Sequence, residues 1–204
     1  MKLYSSPTSP FVRKVRILIR EKGAAHLVSE EIVSAMADPA ALHAANPLGK
    51  VPALALDDGT TLFDSPLICE YLDATLPGPR LLPADGKPRW LDQRLHAVGD
   101  GISDAAVSLT FERARPEAER SALWMDRWRR AILRAADLLE AEASTLAGLP
   151  TTGPISLGVI SLGAAFGYLD FRHAALDWRD GRPKLDAIFK TLAARPAFSE
   201  TAPA

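Results

Sequence analysis

A proline-rich segment at residues 77–88 constrains the fold of this chain more than any other feature. It holds four prolines and two glycines in twelve positions. Proline fixes φ and has no backbone N–H, and glycine favours turns, so neither a helix nor a strand continues through the segment. The 204 residues are enough for two domains that each bury a core. We therefore predict a first domain at 1–78, a linker at 79–87 and a second domain at 88–204.

Short strand-like and helical segments alternate before the linker. Asp38 stands before Pro39 as an N-cap stands before the first helical residue, which predicts a short helix to residue 45. The turn sequence Asp-Asp-Gly-Thr at 57–60 predicts a hairpin. The predicted elements are a strand at 2–5, a helix at 10–22, an extended segment at 26–33, the helix to 45, strands at 52–56 and 61–63, and a helix from 65. This β-α-β-α-β-β-α order indicates a small mixed α/β sandwich.

After the linker, helical stripes without a strand pattern predict an all-α domain. Asp100 and Asp104, with Gly101 between them, interrupt the first stripe, which indicates either a kink with solvated acids or a close helix or dimer contact. Trp124 and Trp128, four positions apart, are predicted to lie in the core. The stripes cover residues 91–109, 124–139, 156–172 and 183–194, and the arginines at 127, 129, 130 and 134 are predicted to form a solvated helix face.

Charge and cysteine content exclude several classes of function. Twenty-four Lys and Arg against 25 Asp and Glu give a formal net charge of −1, which excludes a strongly basic nucleic-acid binder. No apolar run approaches the roughly 18–20 residues that span a bilayer, and residues 1–5 turn polar too early for a signal peptide, so we expect a cytoplasmic protein. The single cysteine, Cys69, excludes an internal disulfide and is predicted to be packed. His43 and His96 lack partners at metal-ligand spacing, so no metal site is predicted.

Three short segments before the linker carry polar residues where a ligand can bind. Ser9 lies before a proline, which by itself indicates a helix N-cap, and with a cleft in front of it the helix N-terminus favours an anion. Lys50 lies in a loop that its two prolines and glycine shape, and by itself it reads as a surface lysine. Asp64 and Ser65 begin the next helix, where Asp64 either complements the helix dipole or accepts an ammonium group beside a serine that binds a carboxylate.

Together these segments resemble the glutathione S-transferase superfamily. The motifs are Ser-Pro-Phe-Val-Arg-Lys at 9–14, Asn-Pro-Leu-Gly-Lys-Val-Pro at 46–52 and Asp-Ser-Pro at 64–66. The resemblance covers nearly the whole chain and implies a thioredoxin-like N-terminal domain followed by an all-helical C-terminal domain. The Ser-Pro-Phe form is most similar to serine-type classes such as tau, with zeta more distant. Other members place Cys at or near the Ser9 position, and its absence here argues against thiol–disulfide exchange.

The resemblance implies how the first two motifs act on glutathione. Ser9 matches the serine whose hydroxyl donates a hydrogen bond to the glutathione sulfur. With the helix dipole, this bond lowers the thiol pKa from about 8.5 toward neutrality. Val51 precedes the family's cis-proline, here Pro52, and the exposed backbone of Val51 pairs with the cysteinyl part of glutathione as an added strand does.

The remaining matches concern the two ends of glutathione and the second substrate. Asp64 and Ser65 match the residues that hold the γ-glutamyl ammonium and carboxylate groups, and Lys50 resembles the basic residue near the glycyl carboxylate. We expect a cleft built for an anion despite the net charge of −1. The second-substrate pocket is predicted to include Phe11, Asp104 and Tyr168.

The expected function is that of a homodimeric transferase that binds glutathione as co-substrate and transfers its thiolate to a small hydrophobic electrophile. Two alternatives stay open: a non-catalytic glutathione-binding or protein-interaction module of the same fold, and a glutathione-dependent isomerase. The zeta-type Ser-Ser-Cys-Ser start is absent, which disfavours the isomerase. The capping box that the family often has in its helical domain is incomplete here, because Val159 stands where an acid is expected three residues after Ser156.

Overall fold

A mixed four-stranded sheet organises the first part of the chain. The computed structural model describes residues 1–146 and 153–203. The sheet order is β2-β1-β3-β4, in which β1 pairs parallel with β2 and antiparallel with β3, and β3 pairs antiparallel with β4. The strands are β1 (Lys2–Ser5), β2 (Ser29–Ile32), β3 (Ala53–Ala55) and β4 (Thr61–Leu62), and the helices among them are α1 (Pro10–Glu21), α2 (Ala40–Ala45) and α3 (Ser65–Thr75). The predicted β-α-β-α-β-β-α order is confirmed.

Two local predictions in this part need correction. Only Ser29–Ile32 of the segment predicted as extended at 26–33 pairs in the sheet, because a 3-10 turn occupies Ala25–Leu27. Asp38 does not cap α2, since it has a left-handed φ of 53° at the end of a 3-10 turn. Pro39 takes the cap position without a side-chain hydrogen bond.

The second part contains helices alone among its described residues, as predicted. The helices are α4 (Gly86–Ala114), α5 (Ala122–Ala141), α6 (Ala143–Leu146), α7 (Leu157–Arg172), α8 (Pro183–Ala193) and α9 (Pro196–Ser199). α4 begins at Gly86, within the residues assigned to the linker, and the two single-turn helices α6 and α9 were not predicted. None of the described helices has the length and apolar content that crossing a membrane requires.

α4 and α7 pack closely at two glycines. A Cβ on Gly99 would lie 2.7 Å from the carbonyl carbon of Ser161, and one on Gly158 would lie 2.5 Å from the carbonyl oxygen of Asp92.

The predicted interruption does contact other helices, because Asp100 accepts hydrogen bonds from Lys14 of α1 and Ser161 of α7. The helix α4 continues through Gly101, where a Cβ would have no described atom within 4 Å. The close backbone approach to α7 lies two residues earlier, at Gly99.

A residue of α4 helps to cap α7, whose own capping box is incomplete. Ser156 is the N-cap, and its Oγ accepts a hydrogen bond from the Val159 N–H at 3.4 Å. The carboxylate oxygens of Asp92 accept from the Gly158 N–H at 3.1 and 3.2 Å. Burial raises the pKa of Asp92. An acid from another helix therefore stands near the N-terminus of α7, where the local sequence has none.

The core is continuous across the linker. Buried side chains of the sheet and of α1, such as Leu3 and Leu18, belong to the same cluster as Ile160 and Phe166 of α7. Cys69 is fully buried, as predicted. The prediction for Trp124 is wrong, because half of its surface is exposed. The four-residue spacing of two aromatic residues shows that they share one side of a helix, but not whether both lie inside the buried part of that side.

Candidate functional site

A cleft of about 360 Å³ lies where the 46–52 loop, the start of α3, the start of α1 and the middle of α4 meet. Six of the predicted site residues line it: Phe11, Lys50, Val51, Pro52, Asp64 and Asp104. The other lining residues are Asn46, Leu48, Phe63, Asp100 and Gly101. The fold therefore brings together positions that are up to 93 residues apart in the chain, from Phe11 to Asp104.

Asn46 shapes the loop that carries Lys50 and Val51. Its buried side chain donates from Nδ2 to the Lys50 carbonyl at 2.8 Å and accepts at Oδ1 from the Leu48 N–H at 3.0 Å. The Val51–Pro52 peptide bond is cis, as the resemblance implies. Among the described residues, nothing pairs with the backbone N–H and C=O of Val51. Asn46 was not predicted as a site residue, although an Asn that bonds to the backbone two residues on is a known turn signal.

The start of α3 presents an exposed acid and a buried hydroxyl. Asp64 is the N-cap, and its carboxylate accepts a hydrogen bond from the Ser65 N–H. Ser65 is fully buried, and its Oγ has no hydrogen-bond partner in the described chain. Asp64 lines the cleft and Ser65 does not. An unpaired hydroxyl at a helix N-terminus, beside a carboxylate, suits a ligand that carries both signs of charge.

Ser9 caps α1 at the edge of the site. Its half-buried Oγ accepts from the Val12 N–H at 3.3 Å. This bond uses an oxygen lone pair and leaves the hydroxyl proton free to be donated. Ser9 is not in the lining of the cleft, but Phe11 in the first turn of the same helix is. The cap is therefore observed, and the second role of Ser9 stays a proposal.

The part of α4 that lines the cleft carries two acids with different surroundings. Asp100 accepts hydrogen bonds from Lys14 Nζ at 2.6 and 2.8 Å and from the Ser161 hydroxyl at 3.0 Å. Lys14 is buried and also donates to Nε2 of His96 at 2.8 Å. Asp104, one turn further on, is exposed and has no partner among the described residues. The charge of Asp100 is thus compensated within the chain, and that of Asp104 is not.

These charges correct the expectation of a cleft built for an anion. The lining holds one cation, Lys50, together with the carboxylates of Asp64, Asp100 and Asp104. Lys14 compensates only Asp100. The cleft is therefore mixed in charge and suits a zwitterion, a ligand with separate cationic and anionic groups.

Tyr168 does not line the cleft, and its place in the second-substrate pocket stays a prediction. It is buried in α7, and its hydroxyl lies 3.0 Å from Oγ1 of Thr110. Among groups of His, Cys, Asp and Glu in the described residues, none has an arrangement for holding a metal ion.

The fold and the cleft define a class of protein. Residues 3–80 match the family model described as "Glutathione S-transferase, N-terminal domain", and residues 122–191 match "Glutathione S-transferase, C-terminal domain". Together they cover well over half of the chain. The chain belongs to the glutathione S-transferase family, and the predicted fold class is confirmed.

Individual relatives agree over the full length of the chain. It is 38% identical to the uncharacterized GST-like protein YibF of Escherichia coli K12, over 100% of this chain and 98% of that protein. It is 33% identical to a maleylacetoacetate isomerase of Pseudomonas aeruginosa, over 100% and 96%. A glutathione transferase family member from Pseudomonas fluorescens Pf-5, solved with bound glutathione, superposes with a TM-score of 0.93 at 41% identity, over 100% and 98%. A structure of a family member from the same organism with bound S-(propanoic acid)-glutathione gives a TM-score of 0.89 at 39% identity, over the whole of both chains.

Proposed function

We propose that the cleft binds glutathione and that the protein transfers the glutathione thiolate to a small hydrophobic electrophile. The observation that carries this proposal is the mixed charge of the cleft, whose lining holds the cation Lys50 together with Asp64, the neighbour of Ser65. Glutathione is a zwitterion with one ammonium and two carboxylate groups. A relative at 41% identity over the full chain has bound glutathione, which supports the same ligand here.

Each part of glutathione has a group that suits it. The Asp64 carboxylate accepts hydrogen bonds from the γ-glutamyl ammonium group. The unpaired Ser65 hydroxyl donates to the carboxylate of the same γ-glutamyl residue. The free N–H and C=O of Val51 pair with the cysteinyl residue. The exposed Lys50 lies at the position proposed for the glycyl carboxylate.

Ser9 then acts on the sulfur. Its hydroxyl proton, which the cap interaction leaves free, donates to the sulfur, and the N-terminus of α1 adds positive potential. Both effects favour the thiolate over the thiol. The thiolate attacks the electrophile, and the leaving group departs with the electron pair of the broken bond. Phe11 supplies an apolar contact for that second substrate, and Asp104 borders it.

The test is Ser9→Ala, with Ser121→Ala as its matched control. Ser121 caps α5 with the same geometry, accepting from the Trp124 N–H at 3.3 Å, and lies outside the cleft. We expect Ser9→Ala to keep glutathione affinity, measured by calorimetry, and to lower conjugation of a chloronitrobenzene about 10-fold or more. Ser121→Ala loses the same cap bond and keeps conjugation. Equal activity of the two variants would remove Ser9 from the mechanism.

Two other outcomes define the alternatives. Glutathione binding without turnover on a panel of electrophiles would make the protein a non-catalytic binding module. The full-length identity to a maleylacetoacetate isomerase favours a glutathione-dependent isomerase as the second candidate. Isomerisation of maleylacetoacetate at a rate above conjugation would establish it in place of the transferase.

We also propose that the protein is a cytoplasmic homodimer. Three large apolar side chains, Leu67 of α3 and Trp90 and Leu91 of α4, are about half exposed or more, and a partner subunit would cover them. Light scattering coupled to size-exclusion chromatography checks this, with a mass near twice 22.0 kDa expected.

A further inference from the structure

Asp104 is a carboxylate of the cleft that nothing in the described chain neutralises. It lies on α4 one turn after Asp100 and Gly101, on the same face of the helix, and all three residues line the cleft. A Cβ on Gly101 would have no described atom within 4 Å, so this face of α4 borders open space. Asp104 is exposed and has no hydrogen bond or ion pair with a described residue. Its carboxylate is therefore free to bind a ligand in the cleft.

The other charges that line the cleft have partners, either in the chain or in glutathione as proposed above. The buried Lys14 compensates Asp100. Lys50 and Asp64 are assigned to the glycyl carboxylate and to the γ-glutamyl ammonium group. Because that ammonium group is the only cation of glutathione, glutathione has none for Asp104. One negative charge therefore remains in the part of the cleft that glutathione does not use.

An aromatic ring lines the same cleft. Phe11 is half-buried in the first turn of α1, two residues after Ser9, which is proposed to act on the sulfur. The face of an aromatic ring attracts a cation, and a carboxylate attracts it by its charge. An organic ammonium group carries its positive charge among apolar carbon atoms. A ring and an uncompensated carboxylate in one cleft therefore suit such a group.

We propose that the second substrate is a hydrophobic electrophile that carries an organic cation, and that Asp104 and Phe11 bind this cation. The inference rests on the proposed function, since it concerns the part of the cleft that faces the glutathione sulfur. The cation takes no part in the bond changes of the transfer, so Asp104 determines specificity and is not a catalytic residue. An anionic electrophile of the same size is disfavoured, because its charge meets that of Asp104.

The experiment compares three S-substituted glutathiones that carry different charges at the end of one substituent. Each is made from glutathione and an N-substituted chloroacetamide: the sulfur forms a bond to the methylene carbon, and chloride leaves with the electron pair of the broken bond. The substituents end in a trimethylammonium, a tert-butyl or a carboxylate group, and the first two have the same shape. Their affinities for the full chain are measured by calorimetry at low ionic strength.

We expect the trimethylammonium conjugate to bind about 3-fold or more tightly than the tert-butyl conjugate, and the carboxylate conjugate to bind most weakly. The three chloroacetamides should follow the same order in kcat/KM, after each rate is corrected for the uncatalysed reaction with glutathione. The affinities test the charge preference even where turnover is slow.

Variants assign the preference to Asp104. Asp104→Asn keeps the shape of the side chain, and it should lower the preference for trimethylammonium over tert-butyl to below about 2-fold. Asp104→Lys should make the carboxylate conjugate bind more tightly than the trimethylammonium conjugate. Asp85→Asn is the matched control, because it removes the same charge from the start of α4, outside the cleft, and should keep the preference. Phe11→Leu keeps an apolar side chain without the ring and should reduce the preference in part.

The outcomes separate this inference from the proposed function. Equal affinity of the trimethylammonium and tert-butyl conjugates, tightest binding of the carboxylate conjugate, or an equal loss in Asp104→Asn and Asp85→Asn would each overturn the inference and leave glutathione binding intact. Failure of unsubstituted glutathione to bind would overturn both. The expected order of affinities without any turnover would overturn the transferase function and still support binding of a cation by Asp104.

Discussion

His96 is a buried base held next to a buried cation. Its Nε2 accepts a hydrogen bond from Lys14 at 2.8 Å. Burial, followed by the charge of Lys14, lowers the pKa of His96 to about 4, against about 6.5 in an unfolded chain. Between these two values the unfolded chain binds more protons than the folded one. The contribution of His96 to folding stability is therefore fully present above about pH 6.5 and is lost as the pH falls toward 4.

We expect this single group to lower the free energy of unfolding by up to about 1.4 kcal/mol for each pH unit in that interval. Urea unfolding at pH 7 and at pH 5 measures the loss. His96→Gln cannot be protonated and should lose less stability between the two pH values than the original chain. The pKa of His173 is also lowered, so part of the loss should persist in His96→Gln and be smaller in His96→Gln/His173→Gln.

The exposed His26, which has no hydrogen-bond partner in the described chain, supplies the control. His26→Gln should keep the original pH dependence. If His96→Gln kept it as well, the shift assigned to His96 would be wrong.

Single residues also show which features local sequence patterns can predict and which they cannot. Ser9 and Ser65 each stand before a proline, which is a local signal of a helix start, and only the family resemblance assigns them and Asp64 to the site. Lys14 carries no such signal: it lies among other basic residues of α1, and its partner Asp100 is 86 positions away. A lysine is ordinarily exposed, and only the packing of α4 against α1 makes this one buried. The compensated acid in the cleft was therefore not predictable.

At the scale of elements, the contact between α4 and α7 depends on the absence of a side chain at Gly99. A Cβ there would lie 2.7 and 2.9 Å from backbone atoms of Ser161 and Leu162, which cannot move aside as a flexible side chain can. We expect Gly99→Ala to lower the free energy of unfolding by about 1–3 kcal/mol, the usual cost of overpacking. Urea unfolding measures it.

Gly101 in the same helix is the matched control, because a Cβ there meets no described atom within 4 Å. Alanine favours a helix over glycine by about 1 kcal/mol, so Gly101→Ala should raise stability. Two identical substitutions two residues apart should thus have opposite signs. The same sign for both would contradict the packing described for Gly99.

The elements themselves were largely predictable, and the exceptions have a common cause. Apolar spacing, caps and turn residues located α1, α3, α4, α5, α7 and α8 to within a few residues. Asp38 was misassigned because the Asp-Pro pattern also fits the end of a 3-10 turn. Trp124 was misplaced because periodicity identifies one face of a helix and does not say what that face meets. Asp92, which supports the start of α7, comes from a helix about 65 residues earlier.

At the scale of the whole molecule, Asp73 fixes the connection between the two parts. Its buried carboxylate accepts from the N–H groups of Leu81 and Leu82 at 2.8 and 3.1 Å and from Lys22 Nζ at 3.2 Å. Lys22 is equally buried. The proline content of this segment predicted that regular structure stops, but not that its backbone is held by an acid of α3. One carboxylate thus holds α1, α3 and the chain after α3 in a fixed arrangement.

We expect Asp73→Ala to lower the free energy of unfolding by about 3–5 kcal/mol, because it leaves the charge of Lys22 buried without its partner. The released segment should also become more mobile around Arg80, which is already exposed, and tryptic cleavage after Arg80 should become at least 10-fold faster under native conditions. Asp85→Ala, in the same segment but without a side-chain hydrogen bond at the start of α4, should change neither quantity. Asp73→Asn keeps the shape of the side chain and one acceptor oxygen. Its loss of stability and its cleavage rate should therefore lie between those of Asp73→Ala and Asp85→Ala. Unchanged cleavage in Asp73→Ala would mean that the buried Leu81 and Leu82 hold the segment without this carboxylate.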